Sequence, residues 1–154
     1  MAEGADNVVN MNGKFRHKVD AKGRMSLPAT FRKALPTDLV VTIDPFDECL
    51  RVYVVDAFND WVEQVFVDAF PEGYKSNDRQ HVRLRSELKG RADDVSVDSA
   101  GRIMLPADQR AAVGIDKDVV VIGNTGYFEI WDAKRYDEPD EDVDLKVLFP
   151  GRKS

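Results

Sequence analysis

Positive charge is concentrated in one short stretch of this 154-residue chain. The residues from Lys14 to Pro36 include seven lysines and arginines but one acid, Asp20, so the stretch carries +6 while the whole chain carries −6. Clustered cations create a local positive potential, which favours an anionic partner such as phosphate. The residues that could bind phosphate are Lys14, Arg16, Lys18, Lys22, Arg24, Arg32 and Lys33.

Histidine and cysteine, two residue types that often carry catalysis or bind transition metals, are scarce. The chain has two histidines, His17 and His81, and one cysteine, Cys49, which are too few for a histidine-rich metal site. The motifs G-x-x-x-x-G-K-[ST] and G-x-S-x-G do not occur. We therefore predict that the protein is not an enzyme and uses no metal, cofactor or small-molecule substrate.

Side chains alternate between the two faces of a β-strand, and this alternation separates the cations of the stretch from its apolar residues. Phe15, His17 and Val19 fall on one face of the first strand, and the lysines and arginines fall on the other. We therefore predict a β-hairpin with an apolar underside and a basic top, in which His17 is packed rather than catalytic.

A three-residue turn, Ala21–Gly23, joins the two predicted strands. Gly23 can adopt a positive φ without steric cost, and Asp20 can accept backbone N–H groups across the loop. The turn is therefore predicted to hold Lys22 and Arg24 on a rigid support.

Short strands and helices follow the hairpin. Pro28 is predicted to begin a helix that runs through Leu35, and apolar runs predict strands at 39–43 and 50–55.

Two further helices are predicted before the second half of the chain. Asp56 caps the first, whose apolar stripe is expected to pack in the core, and Ser76 caps the second, which runs to about Lys89. The second helix is rich in arginine. We predict that these arginines form a solvent-exposed face with an Arg83–Glu87 pair, and we favour this over a second site of contact with nucleic acid, beside the basic stretch.

A degenerate copy of the basic stretch returns 78 residues later, as the alignment of Asp20–Ala29 with Asp98–Ala107 makes clear. Arg32 aligns with Arg110 at the same offset. Each copy is too small to bury its own apolar face, so we predict two related units packed as a pseudo-twofold pair. The second copy is not basic, because residues 92–114 carry −2.

The Asp-x-x-Gly-Arg turn occurs in both copies, and shared residues can be explained by the fold alone. We predict that an Asp–Arg pair braces each turn, and a secondary contact of Arg102 with nucleic acid stays open as an alternative. The turn residues concerned are Asp20, Gly23, Asp98, Gly101 and Arg102.

Two motifs at matched spacing resemble the paired signature of the MraZ family, which is built from two SpoVT/AbrB-like units. The motifs are Asp20-x-x-Gly-Arg24-x-x-x-Pro28, followed by Phe31-Arg32, and Asp98-x-x-Gly-Arg102-x-x-Leu-Pro106. The resemblance runs from about Lys14 to Asp137. It implies an α+β fold that is mostly β, in which two swapped-hairpin units form a β-barrel-like core, with two helices between the repeats.

The resemblance also implies a function. Members of the family are DNA-binding transcriptional regulators, usually repressors, which bind tandem direct repeats in the promoter of the cell-division and cell-wall gene cluster. They assemble into a homo-oligomeric ring in the cytoplasm, at the nucleoid. The DNA-contacting arginine falls on Arg24, and the AbrB-like pattern adds His17, Lys18, Arg32 and Lys33. We expect Lys14, Arg16, Lys18 and Lys22 to contact the DNA backbone.

The predicted organisation has five parts: a flexible extension at 1–13, a basic first repeat at 14–57, a helical connection at 58–91, a second repeat at 92–137 and an acidic tail at 138–154. No apolar run approaches the roughly 18 to 20 residues of a membrane span, and no signal peptide is recognised. The single cysteine fits a reducing cytoplasm.

An AbrB-like antitoxin, or another protein-interaction module, is the alternative function. The acidic run that begins at Asp137 is followed by apolar residues that could bind a protein partner. These residues are Leu145, Val147, Leu148 and Phe149.

Overall fold

A computed structural model describes residues 8–140 and 142–151 of the chain. Within these residues the elements, in chain order, are β1 (Lys14–Lys18), β2 (Arg24–Ser26), α1 (Ala29–Ala34), β3 (Asp38–Ile43), β4 (Leu50–Val54), α2 (Val55–Ala69), α3 (Arg79–Gly90), β5 (Asp93–Ser96), β6 (Arg102–Met104), α4 (Ala107–Ala112), β7 (Asp118–Gly123), β8 (Tyr127–Asp132), α5 (Ala133–Tyr136) and a 3₁₀ helix (Leu145–Leu148).

The two repeats exchange strands. Six strands form an antiparallel sheet in the order β1-β7-β8-β4-β3-β5, and β2 pairs with β6 in a separate two-stranded ribbon. The first strand of each repeat therefore pairs with the third strand of the other repeat. The strand order is unchanged when the two repeats are interchanged, which confirms the predicted pseudo-twofold pair of swapped units.

The core predicted as barrel-like is built on a sheet that does not close into a barrel. Within the described residues, the edge strands β1 and β5 do not pair with each other. The predicted hairpin of β1 with β2 is reduced to one bridge, between Val19 and Met25. The reason is that β2 and β6 are only three residues long and pair with each other, so they cover one face of the sheet instead of extending it.

The main core lies between the sheet and the β2–β6 ribbon. Met25 and Ile103 project from the ribbon onto the sheet and are at most 1% exposed. A second apolar cluster lies on the other face of the sheet, where α2 buries Phe58 and Val62 against Tyr53. The apolar stripe of α2 therefore packs in the core, as predicted.

The first residues of the two long helices differ from the prediction. Helix α2 begins at Val55, before Asp56, because it continues directly from β4. Helix α3 begins at Arg79, and Asp78 caps it instead of Ser76 by accepting the N–H groups of Gln80 and His81.

The arginines of α3 also pair differently. Glu87 lies 4.0 Å from Arg91, one turn further along, and not beside Arg83. Arg85 pairs with Glu63 of α2 and lies over the ring of Tyr74, so part of this basic run holds the two helices together.

The predicted flexible extension does not include all of residues 1–13. Residues 1–7 lie outside the described part of the chain. Met11 is 4% exposed, and its N–H donates to the carbonyl of Asn124 at 3.0 Å. The N–H of Gly123 donates to the carbonyl of Gly13 at 2.9 Å. The loop between β7 and β8 therefore binds this segment to the core.

No helix in the described ranges is long and apolar enough to cross a membrane.

Candidate nucleic-acid interface

The turn between β1 and β2 is rigidly braced by Asp20. Its Oδ1 accepts the N–H groups of Lys22 and Arg24, each at 2.9 Å, and its Oδ2 accepts Nε of Arg24 at 2.8 Å. The backbone N–H of Arg24 is the main cause of a lowered pKa for Asp20, so this carboxylate stays ionised at neutral pH. Within the described residues, Nη1 and Nη2 of Arg24 make no hydrogen bond. These two nitrogens are therefore available to a ligand.

The turn between β5 and β6 has the same geometry. Asp98 accepts the N–H groups of Ala100 and Arg102, each at 2.9 Å, and Nε of Arg102 at 3.0 Å. The hydrogen bond from the Arg102 N–H is again the main cause of a lowered pKa for the aspartate. The Asp–Arg pair predicted for each turn is thus present in both repeats.

The β2–β6 ribbon brings the two arginines to one solvent-facing surface. Arg24 lies opposite Met104, and Ser26 lies opposite Arg102. These four side chains share the face that points away from the core, since the intervening pair, Met25 with its partner, is buried. The surface therefore combines one arginine from each repeat.

The glycines of the turns are required by close packing between the repeats. Gly23 has φ +88°, and a Cβ there would lie 2.9 Å from the carbonyl oxygen of Leu105 and 2.8 Å from Nη2 of Arg110. The Gly23 carbonyl also accepts the Leu105 N–H at 2.8 Å. The first turn is therefore fixed by residues of the second repeat.

We expect Gly23→Ala to destabilise the fold by at least about 1–2 kcal/mol, because an L-residue is strained at this φ and the added methyl group meets backbone. The matched control is Gly90→Ala at the end of α3, where a Cβ would meet nothing within 4 Å. Urea denaturation at equal protein concentration checks the difference. Equal midpoints for the two variants would contradict this role of Gly23.

The basic face of β1 contacts groups of the second repeat that sequence reasoning missed. Nη2 of Arg16 lies 2.6 Å from Oδ1 of Asp137, and Nη1 lies 3.1 Å from Oδ2. Lys18 lies 3.6 Å from Asp118. Lys14 lies 5.0 Å from the centre of a tyrosine ring in α5. No local sequence signal indicates the Asp137 contact, because the partners are 121 residues apart.

Arg32 has a structural role beside the contact with DNA that was predicted for it, and that contact stays a prediction. Its guanidinium donates to the carbonyls of Ser99 and Ala100, at 3.1 and 3.5 Å, and so supports the second turn. Arg110, its counterpart in the second repeat, also lies against the first turn, beside Gly23, but its Nε donates to the carbonyl of Leu105 in its own repeat at 3.1 Å. The signal in the sequence was the presence of an arginine at this position in both copies.

The remaining predicted residues are on the surface or at its edge. His17 is half-buried, and its Nδ1 lies 2.6 Å from the carbonyl of Ser26, so its ring is engaged with β2. Lys22 and Lys33 are exposed, and neither side chain forms an ion pair within residues 8–140 and 142–151. Together with Arg24, they are the predicted cations best placed to accept a new partner.

In residues 8–140 and 142–151, no group of three or more His, Cys, Asp or Glu side chains could hold a metal ion.

Comparison with known proteins identifies a family. A family model described as "MraZ protein, putative antitoxin-like" matches residues 11–72 and 88–142. A protein of Lachnoclostridium phytofermentans is 36% identical over 142 residues, which cover 89% of this chain and 95% of the relative. A protein of Mycolicibacterium smegmatis is 40% identical over 126 residues, which cover 82% of this chain and 83% of the relative. Both relatives are named transcriptional regulator MraZ. The chain therefore belongs to the MraZ family.

Proposed function

We propose that this protein is a transcriptional regulator that binds double-stranded DNA through the braced turn at Arg24. The observation that carries the proposal is that Asp20 holds Arg24 by Nε, while the two terminal nitrogens of the guanidinium have no partner in the described residues. The names of the relatives support the regulatory role. A regulator of this kind acts in the cytoplasm, at the nucleoid.

The chemistry of arginine explains how such a turn could recognise a base. A guanidinium donates two parallel hydrogen bonds, which match the O6 and N7 acceptors of guanine in the major groove. Because Asp20 already orders the Arg24 side chain, less conformational entropy is lost on binding. Lys22 and Lys33 would contact phosphates, which supply affinity but no sequence information.

One turn offers few contacts, so we propose that several copies act together. In a ring-shaped homo-oligomer, turns from neighbouring subunits would meet tandem direct repeats in the promoter, and the linked contacts would raise the overall affinity. The resemblance of the two turn motifs to the family signature supports this assembly. It also supports the cell-division and cell-wall gene cluster as the target, with repression as the expected outcome.

The test is fluorescence anisotropy with a duplex from upstream of the protein's own gene and a scrambled duplex of the same composition. We expect the native duplex to bind more tightly, and log K to fall linearly with log[salt] by about 0.9 for each phosphate contacted. Failure of both duplexes to bind at low salt would contradict DNA recognition.

A protein-interaction module is the second candidate, because the end of the described chain exposes apolar side chains. Val143, Leu145, Val147, Leu148 and Phe149 are each between 53% and 77% exposed. The wording of the matching family model, antitoxin-like, points in the same direction. Absence of any duplex binding would favour this candidate.

A further inference from the structure

An acidic segment, residues 137–144, follows α5 directly. Six of its eight residues are Asp or Glu. Its first residue, Asp137, makes a two-point contact with Arg16 on the basic face of β1, with nitrogen–oxygen distances of 2.6 and 3.1 Å. The acidic segment therefore starts on a strand whose cations were predicted to contact the DNA backbone.

The position of Asp137 is set by the body of the second repeat. Its N–H donates to the carbonyl of Ala133 at 3.0 Å, which continues the turn of α5. The ring of Tyr136 packs edge-to-face on Trp131 of β8, with centroids 5.7 Å apart. Nζ of Lys14 lies over the Tyr136 ring, 5.0 Å from its centroid. The carboxylate is thus presented to Arg16 by an anchored helix.

We propose that the acidic segment competes with DNA phosphates for the basic face of β1, with Asp137 occupying Arg16 until a duplex displaces it. This proposal rests on the proposed function, because it describes how DNA binding by the same basic stretch is regulated. The result would be a weaker contact of β1 with the backbone of any duplex, so that stable binding depends more on the base contacts made elsewhere.

The chemistry of the contact requires exchange. The end-on fork of Arg16, formed by Nη1 and Nη2, cannot bind a carboxylate and a phosphate at the same time, so a phosphate that takes this fork must displace Asp137. Both side chains are more than half exposed, at 62% and 53%, so water screens the pair and a phosphate can replace Asp137. The hydrogen bonds from Arg16, and then its charge, lower the pKa of Asp137, so the competitor is ionised at neutral pH.

The symmetry of the fold does not require this contact. At an offset of 78 residues, the position of Arg16 is occupied by Asp94 in the second repeat. The Arg16–Asp137 pair therefore has no counterpart there, in contrast to the two braced turns, which are duplicated. The contact is therefore specific to the basic first repeat, where the cations proposed to meet DNA lie.

The experiment compares Asp137→Asn with Glu138→Gln in the full-length chain. The two variants each lose one negative charge, and the two positions are neighbours. Within the described residues Asp137 pairs with a cation, whereas Glu138 does not. Binding to the native and scrambled duplexes is measured by anisotropy over a salt series. We expect Asp137→Asn to bind both duplexes about two- to fivefold more tightly than wild type. The salt slope should steepen by up to about 0.9, since Arg16 then meets phosphate without releasing a carboxylate.

Glu138→Gln should change the affinity less, and Arg16→Gln should remove the effect of Asp137→Asn. Equal effects of Asp137→Asn and Glu138→Gln, with wild type binding DNA, would overturn the competition and leave the proposed function intact. If neither wild type nor Asp137→Asn bound any duplex at low salt, the proposed function and this proposal would both fail. Binding by Asp137→Asn alone would support both.

Discussion

Replacing Arg24 with alanine is expected to remove most of the preference for the native promoter duplex over the scrambled duplex. A good two-point contact with guanine is worth about 1–3 kcal/mol of discrimination, or roughly 5- to 150-fold in affinity for each contact. In this variant Asp20 still accepts the backbone N–H groups of positions 22 and 24, so the turn should remain folded. Anisotropy with both duplexes measures the ratio, and circular dichroism checks that the fold is retained.

The matched control for Arg24 is Arg83→Ala on α3. Arg83 is exposed and forms no ion pair in the described part of the chain, so this variant loses the same charge at a place with no proposed role. It should keep the native-to-scrambled ratio of wild type. If Arg24→Ala also kept that ratio, base recognition by the first turn would be wrong, even if the overall affinity fell.

Phe31→Ala is expected to have the largest effect on stability. The Phe31 side chain is 1% exposed, and its ring lies 5.3 Å from the ring of Phe15 and 5.6 Å from that of Phe128. It therefore joins α1 to strands from both repeats. Removing a buried phenyl group costs about 3–5 kcal/mol, because apolar contacts are lost and a cavity remains. Urea denaturation at fixed protein concentration measures this cost.

Phe46→Ala is the control for the phenylalanine prediction. Phe46 is 85% exposed in the loop between β3 and β4, so its removal should change the free energy of unfolding by no more than about 0.5 kcal/mol. A loss of less than about 1 kcal/mol in Phe31→Ala would mean that the core can close around the missing ring.

Short-range sequence patterns correctly predicted the inward face of β1 and the geometry of the first turn. Phe15 and Val19 face inwards because side chains on a strand alternate, and Gly23 adopts positive φ because only glycine does so freely. The brace of Asp20 on Arg24 was predictable for the same reason, since the partners are four residues apart. Each of these features depends on neighbours within one turn or strand.

The repeat also determined the pseudo-twofold arrangement, but it could not determine which strands pair. Two similar copies give each strand two chemically similar partners. Pairing of β1 with β2 in one hairpin, or with β7 of the other repeat, satisfies the same backbone groups. The exchanged arrangement lets the β2–β6 ribbon, α1 and α4 cover one face of the sheet. The choice between the two pairings therefore depends on packing of the whole core and not on any single strand.

The same limit applies to the contacts that the predicted site residues make within the fold. Local patterns were sufficient to predict that the first repeat is basic, that its turn is braced and that Arg24 lies at that turn. The support of the second turn by Arg32, 67 residues away, and the contact of Arg16 with Asp137, 121 residues away, became evident in the folded chain. The physical reason is that a charge pattern fixes how many cations a surface has, whereas the partner of each cation depends on which distant segments fold against it.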